Sequence, residues 1–255
     1  MFQYNIQYAC TSHIGLLRSN HEDNFWCDHI YLPEKNSGLE IVFSETITDQ
    51  KNRPFAVFDG MGGEEAGEAA AHVAAMIMEN HAGRLRTVEA EKAKETIRSL
   101  FFGMNEAVVS YCRRNKLYSM GSTASVLLFA SHSVIWGNIG DSRIYRFRDH
   151  KLEQLSQDHI ITNPFTGRRD LTQCLGIDPA EMEIEPYFAE DAVSPGDRYL
   201  LCSDGLTDMV DEPIIEETMD SFESGRCQAC VEVLKKHALE HGGRDNITII
   251  LCEVA

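Results

Sequence analysis

No apolar run in this chain approaches the roughly 18 residues that a membrane-spanning helix requires. The opening MFQYNIQYAC lacks a basic segment followed by an apolar one, so no secretory signal is legible and a cytoplasmic protein is expected. Positive charge is scarce: 23 Lys plus Arg stand against 40 Asp plus Glu, a formal net charge of −17. Such a surface repels nucleic acid and anionic membranes, and neither is expected as a partner. A phosphorylated substrate remains possible wherever local cations cancel the field. There is no repeat of fixed period, no low-complexity tract and no Pro/Gly/Ser-rich linker. That disfavours solenoids and strings of domains, and the 255 residues read as a single domain, 1–255.

Eight cysteines are scattered along the chain, and no second pair accompanies the one CxxC, Cys227 to Cys230. A zinc or redox reading therefore lacks its partner motif. Cys202 and Cys252 lie in apolar runs, where thiols behave as small hydrophobes, and the usage suits a reducing compartment. Hydrophobic residues at 43% and charged residues at 25% are ordinary globular usage. A chain of this length buries about 70–75% of its unfolded surface, so it needs neither disulfides nor structural zinc.

Segments rich in β-branched and aromatic residues predict strands at Phe55–Phe58, Ala124–Ala130, Ser133–Asn138, Arg143–Arg148, Lys151–Leu155, Arg198–Cys202 and Ile247–Cys252. Asp149-His150 reads as a tight hairpin turn. Leu32–Pro54 is polar and turn-rich, with room for one strand. Helical spacing predicts helices over Glu64–Asn80, with Gly83 as the stop, over Val88–Arg114 and over Arg226–His241. Helices come paired between strands rather than singly after each. That favours an α+β arrangement of antiparallel sheets over a doubly wound parallel sheet.

Four aspartates share one context. Asp59 follows FAVF, Asp141 follows VIWGNIG, Asp204 follows YLLCS and Asp245 precedes NITIILC. A carboxylate at a strand end is held rigidly at the rim of the core yet stays open to solvent. Several converging on one rim would form an oxygen-only nest for Mg²⁺ or Mn²⁺. Asp at strand ends is also common simply because it makes turns. The turn Asp59-Gly60-Met61-Gly62-Gly63 lets backbone approach a ligand closely, as a metal-binding carbonyl or as a phosphate cradle. No Walker pattern GxxxxGK[ST] exists to support the cradle. Near the start, Arg18 stands close to Glu22 and Asp23, either as a surface salt bridge or as a two-pronged phosphate clamp.

The segments GLLRSNHED, FAVFDGMGG, GSTAS, GNIGDSRIYRF, QLSQDH, LTQCLG, PGDRYLLCSDGL and GRDNITIIL occur in this order. Together they resemble the metal-dependent protein serine/threonine phosphatases of the PPM (type 2C) family, in the bacterial style. The resemblance implies a four-layer αββα sandwich, two antiparallel sheets flanked by helix pairs. It implies two or three Mn²⁺ or Mg²⁺ ions. Asp59 would bridge two of them, the Gly60 carbonyl would complete one, and Asp204 and Asp245 would hold the other. Asp141, with Asp204, matches a third, weaker site. Arg18 matches the phosphate-gripping arginine, and Glu22 and Asp23 match acids that orient water. The implied reaction is attack on a phosphoserine or phosphothreonine by hydroxide bridging two ions about 3.5–4 Å apart.

Two departures accompany the resemblance. Many eukaryotic relatives carry a histidine where Met61 stands, leaving the general acid unassigned, with His159 or a water as candidates. The stretch Ile160–Asp170 is short for a bacterial flap, so an open cleft is expected. In it Arg168 and Arg169 form either a solvated basic turn or a steering element for phosphorylated or acidic peptide. The expected partners are phosphoprotein substrates and an opposing serine/threonine kinase. A catalytically weak scaffold of the same fold, or a phosphatase dedicated to one small regulatory phosphoprotein, are the alternatives.

Overall fold

The structure, a computed structural model, describes residues 4–61, 66–167 and 169–255. Along the chain, β1 (Ile6–His13) and β2 (Asp23–Cys27) precede β3 (Phe43–Ile47) and β4 (Arg53–Met61). Helices α1 (Gly67–Leu85) and α2 (Ala90–Asn115) follow. Next come β5 (Gly121–Ser122), β6 (Ala124–Ala130), β7 (Ser133–Ile139), β8 (Arg143–Arg148) and β9 (Lys151–Gln154). A small hairpin of β10 (Ile160–Thr162) and β11 (Arg169–Leu171) leads to β12 (Tyr187–Ala192) and β13 (Arg198–Cys202). Helices α3 (Asp204–Thr207), α4 (Glu212–Asp220) and α5 (Cys227–Glu240) then lead into β14 (Ile247–Val254).

Two large sheets result, in the orders β3-β1-β14-β13-β8-β9 and β12-β7-β6-β4-β2, with β5 paired to β4. Every pairing between these strands is antiparallel. The strand alternation of side chains explains how the sheets stack. On β4, Phe55 and Val57 enter the core between the sheets, while Ala56 and Phe58 face α1 and α2. On β6, Leu127 and Phe129 point inward, and Val126 and Leu128 meet the same helices. On β13, Tyr199 and Leu201 point inward, and Leu200 and Cys202 meet the layer of α3, α4 and α5. Burial on both faces is why β6, β13 and β14 read as nearly unbroken apolar runs. The molecule is thus the four-layer α+β sandwich expected.

Differences from expectation lie at one helix end and in several strands. α1 runs through Gly83 to Leu85, because Ala82 and Leu85 are buried while Gly83 faces open space. Packing of that face outweighs a glycine's helix cost of about 1 kcal/mol. The start expected for this helix, Glu64, lies outside the described residues. The polar stretch before β4 does contain one strand, β3. β1, β2, β10, β11 and β12 were not foreseen. β1 mixes Gln7, Thr11 and Ser12 into its apolar set, and β12 exposes Glu190, Asp191 and Ala192. The Asp149-His150 turn has φ of 51° and 62°, the doubly positive geometry that suits a two-residue hairpin. Cys227 and Cys230 are buried at the start of α5, and all eight cysteines are free.

Phe129 joins the two sheets, edge-on to Phe55 and to Tyr199 at centroid distances of 6.1 and 5.2 Å. Its replacement by alanine should destabilise the fold by about 3–5 kcal/mol in urea unfolding. A loss under about 1 kcal/mol would show that the inter-sheet core does not bear the stability.

Candidate active site

The space between the sheets changes character at one end. Positions that continue its apolar columns become polar there: Ser12 after Tyr8 and Cys10, Asp23 before Phe25, Asp59 after Val57, Ser203 after Leu201, and Thr248 before Ile250. Beyond them opens a cavity of about 540 Å³. Asp59 and Asp141 reach it from the ends of β4 and β7, in one sheet. Asp204 and Asp245 reach it from the end of β13 and the start of β14, in the other. Arg18, Glu22, Gly60, Met61, Thr123, Arg169, Asp170 and Leu171 complete the lining. The four aspartates, Arg18, Glu22, Gly60 and Arg169 of the sequence reading are therefore brought together. Asp23 stands just behind them, buried, directly across β2–β4 from Asp59. Arg168 lies outside the described residues.

Backbone contacts fix these groups. The Asp59 N–H donates to Thr123 Oγ1 at 3.0 Å, and the Thr123 N–H donates to the Asp59 carbonyl at 2.8 Å. The Gly60 N–H donates to the Glu22 carbonyl at 3.1 Å, and a side chain on Gly60 would collide with that carbonyl and with Gly67 of α1. Only glycine lets β4, the Glu22 loop and α1 meet there. Asn246 ties the Arg18 loop to β14. Its Oδ1 accepts from the Glu22 N–H at 2.6 Å, and its Nδ2 donates to the Ile14 and Asn20 carbonyls at 2.9 and 3.1 Å. Asp23 accepts hydrogen bonds from Ser203 and Thr248, both at 2.7 Å. Thr123, Ser203, Asn246 and Thr248 were not singled out beforehand, although they stand in the GSTAS, CSD and DNIT segments. Their only available signal was the parity of their positions on the strands.

The carboxylates act on one another. Burial and then the charge of Asp23, Asp204, Asp141 and Asp245 push Asp59 well above the usual carboxylate range. Asp204 is raised to about 8 by burial and by Asp141 and Asp245. Asp23 is raised to about 7, mainly by burial, against the lowering effect of its two hydroxyl donors. Burial and neighbouring acids also raise Asp141 and Glu22.

Two arginines answer this charge. Arg18 donates to Asp245 at 2.5 Å from a half-exposed position. Arg169, on β11, is bound to Asp208 at 2.7 Å and lies 4.0 Å from Asp141 and 3.9 Å from Asp158. It is an anchored residue of the cavity wall, not a solvated turn. The β10–β11 hairpin is short, and Arg169 pins it beside the acids. His159 turns its ring toward the Gly140 carbonyl at 3.3 Å and is not part of the lining. Among the described residues no histidine or cysteine lines the cavity.

This donor set, carboxylates with the Gly60 backbone, contains oxygen only and fits hard divalent cations. Among the described residues no three acids, histidines or cysteines meet at a single point; the aspartates ring the cavity instead.

Solved structures that superpose on this fold include serine/threonine phosphatases. The Mycobacterium tuberculosis phosphatase PstP superposes with a TM-score of 0.77 at 27% identity, over 98% of each chain. The PstP catalytic domain in complex with two manganese ions gives 0.74 at 27% identity, over 98% of this chain and 99% of that one. By sequence, the serine/threonine phosphatase stp of Listeria monocytogenes is 31% identical over 223 residues, 80% of this chain and 86% of its own. Residues 43–239 match the family model for protein phosphatase 2C. The chain belongs to the protein phosphatase 2C family.

An acid whose folded pKa is raised holds its proton more tightly folded than unfolded, so stability falls as pH climbs through that interval. With Asp23 raised to about 7 and Asp204 to about 8, the chelator-treated protein should lose thermal stability from about pH 4 to about pH 8. Adding Mn²⁺ or Mg²⁺ at pH 8 should restore it. A midpoint that ignores both pH and cation would contradict this picture of the cavity.

Proposed function

We propose that this protein hydrolyses phosphoserine and phosphothreonine in other proteins, in a reaction that depends on divalent cations. The observation that carries the reading is the convergence of four aspartates from two sheets, with Arg18, on one open cavity. In this reading Asp59, the Gly60 carbonyl, Asp204 and Asp245 would hold two divalent cations, and Asp141 with Asp204 would take a third. When bound, Mn²⁺ or Mg²⁺ supplies a nucleophilic water near neutral pH and positive charge facing the phosphate.

The chain's own residues supply the rest. Asn246 and the Glu22 backbone hold Arg18's loop against β14. Arg18 can then leave Asp245 and offer two N–H groups to two phosphate oxygens. Glu22, at the cavity edge, accepts hydrogen bonds from water, and Asp23 behind Asp59 keeps that aspartate's strand end in register. With Met61 where a proton donor would stand and no histidine in the described lining, the leaving serine or threonine alkoxide would take its proton from water in the open cavity.

A scaffold that had given up catalysis would be expected to lose some of these acids, and none is missing. Among the described residues no helix is long and apolar enough to cross a membrane. The partners proposed are phosphorylated proteins and the kinase that opposes this activity.

The test is phosphate release from a phosphothreonine peptide with Mn²⁺, with Mg²⁺ and with excess chelator. Turnover that chelator abolishes is the expected result. Replacing Asp204 by asparagine should abolish it, while Arg18→Ala should raise KM by about tenfold with little change in kcat, as loss of uniform substrate binding does. A fully active Asp204→Asn protein would sink the assignment. A fall in kcat alone for Arg18→Ala would mean that the guanidinium acts chiefly in the transition state.

A further inference from the structure

A second cavity, of about 610 Å³, opens beside the first, and Met61 lines both. Its walls come from the end of α2, the segment leading into β5, and the loop after β11. Sulfur and aliphatic groups dominate: Met61, Cys112, Leu117, Met120, Cys174 and Met182. Met61 Cγ and Cys174 Sγ close in on Gly121, lying 3.3 and 3.2 Å from where a β-carbon there would be. Methionine side chains are flexible and polarisable, which suits a surface that must accept apolar groups of varied shape. Tyr118 and Met182 stand exposed at the mouth, large apolar side chains with solvent over them.

The rim decides what kind of group can enter. Arg113 is already claimed by Asp178, and Glu181 adds a further negative charge. An acidic side chain would meet net repulsion. The thiols are not poised for covalent chemistry: burial raises Cys174 to about 11, and Cys112 directs its S–H to the Leu117 carbonyl at 3.3 Å.

We infer that this cavity is a docking subsite for an apolar side chain of the substrate polypeptide, close in sequence to the phosphorylated residue. The inference rests on the phosphatase reading, which puts the phosphate beside Asp59. Asp59 and Met61 lie two positions apart on β4, about 7 Å at a strand's rise of roughly 3.3 Å per residue. An extended substrate covers that distance in about two residues, so the side chain that reaches the cavity lies about two to four residues from the phosphate. The chain must pass over Met61 on the way. Met61 thus forms the shared wall between the reacting group and the residue that selects it.

The test uses phosphothreonine peptides of one length in a Gly/Ser background, with a single leucine moved stepwise along either side. Hydrolysis of p-nitrophenyl phosphate is measured in parallel. Leucine at a favoured position should raise kcat/KM about tenfold, mostly through KM, as filling an apolar pocket does. Met182→Glu and Tyr118→Ser, both at exposed positions, should remove most of that gain and leave p-nitrophenyl phosphate hydrolysis unchanged. Equal kcat/KM for every peptide, with p-nitrophenyl phosphate still hydrolysed, would overturn the subsite and spare the phosphatase reading. So would a leucine gain that survives both substitutions, or a preference for glutamate over leucine. No cation-dependent phosphate release from any substrate would overturn both readings.

Discussion

The mutual repulsion of Asp59, Asp141, Asp204 and Asp245 across one cavity is the force that every neighbouring element has to withstand. Carboxylates forced together in a partly dry site drive one another toward the protonated form. Burial first, and then that repulsion, raise the proton affinity of Asp59 and Asp204. What resists it is the sandwich itself. Each aspartate sits at or next to the end of a strand whose inward residues are locked between two sheets, so none can swing away without dragging core packing with it. The hydrogen bonds of Thr123, Asn246, Ser203 and Thr248 then hold the backbone and Asp23 at the rim itself. Buried, fully partnered polar groups of this kind rigidify a site more than their pairwise strengths suggest.

The acidic surface poses a related question, since a phosphoprotein has to approach a molecule of formal charge −17. At 0.1 M salt, exposed charges are screened beyond about 10 Å, so the global excess matters less than the charges lining the cavity. There the two arginines are placed against specific acids: Arg18 on Asp245 and Arg169 on Asp208. Arg169 is bound into the wall through Asp208, with Asp141 and Asp158 close by. Arg18 is half exposed, has one acid partner at 2.5 Å, and sits at the mouth. That makes it the cation best able to exchange a carboxylate for a phosphate.

How much of this was legible in the sequence follows from the same physics. Strands buried on both faces, such as β6, β13 and β14, announce themselves as apolar runs, and the aspartates at their ends could be picked out by position. The order of the motif segments carried the fold and the arginine. β1 and β2 were invisible, because they trade apolar residues for Ser12 and Asp23 where the site begins. The helix stop at Gly83 misled for the converse reason: a local signal was overruled by burial of Ala82 and Leu85, which only tertiary packing reveals. Arg169 could be read either as a solvated turn or as a steering element, since nothing local shows that Asp208 and Asp158 would close around it.

Strand β4 shows why chemistry and selection are coupled in this molecule. Side chains alternate along it, so Asp59 and Met61 continue the inward column of Phe55 and Val57, while Gly60 faces α1. One column therefore carries, in succession, core packing, a carboxylate of the reaction cavity and the wall of the apolar cavity beyond it. Position 61 cannot serve as both proton donor and apolar wall. A histidine there would bring an acid close to the leaving group but would put a polar, titratable ring against Cys174 and the space beside Gly121. Methionine does the reverse: it gives up the donor and keeps the neighbouring cavity apolar. In the proposed reaction, protonation of the leaving group would then be left to water, which the open cavity admits, and discrimination among substrates would move to the side chains flanking the phosphate.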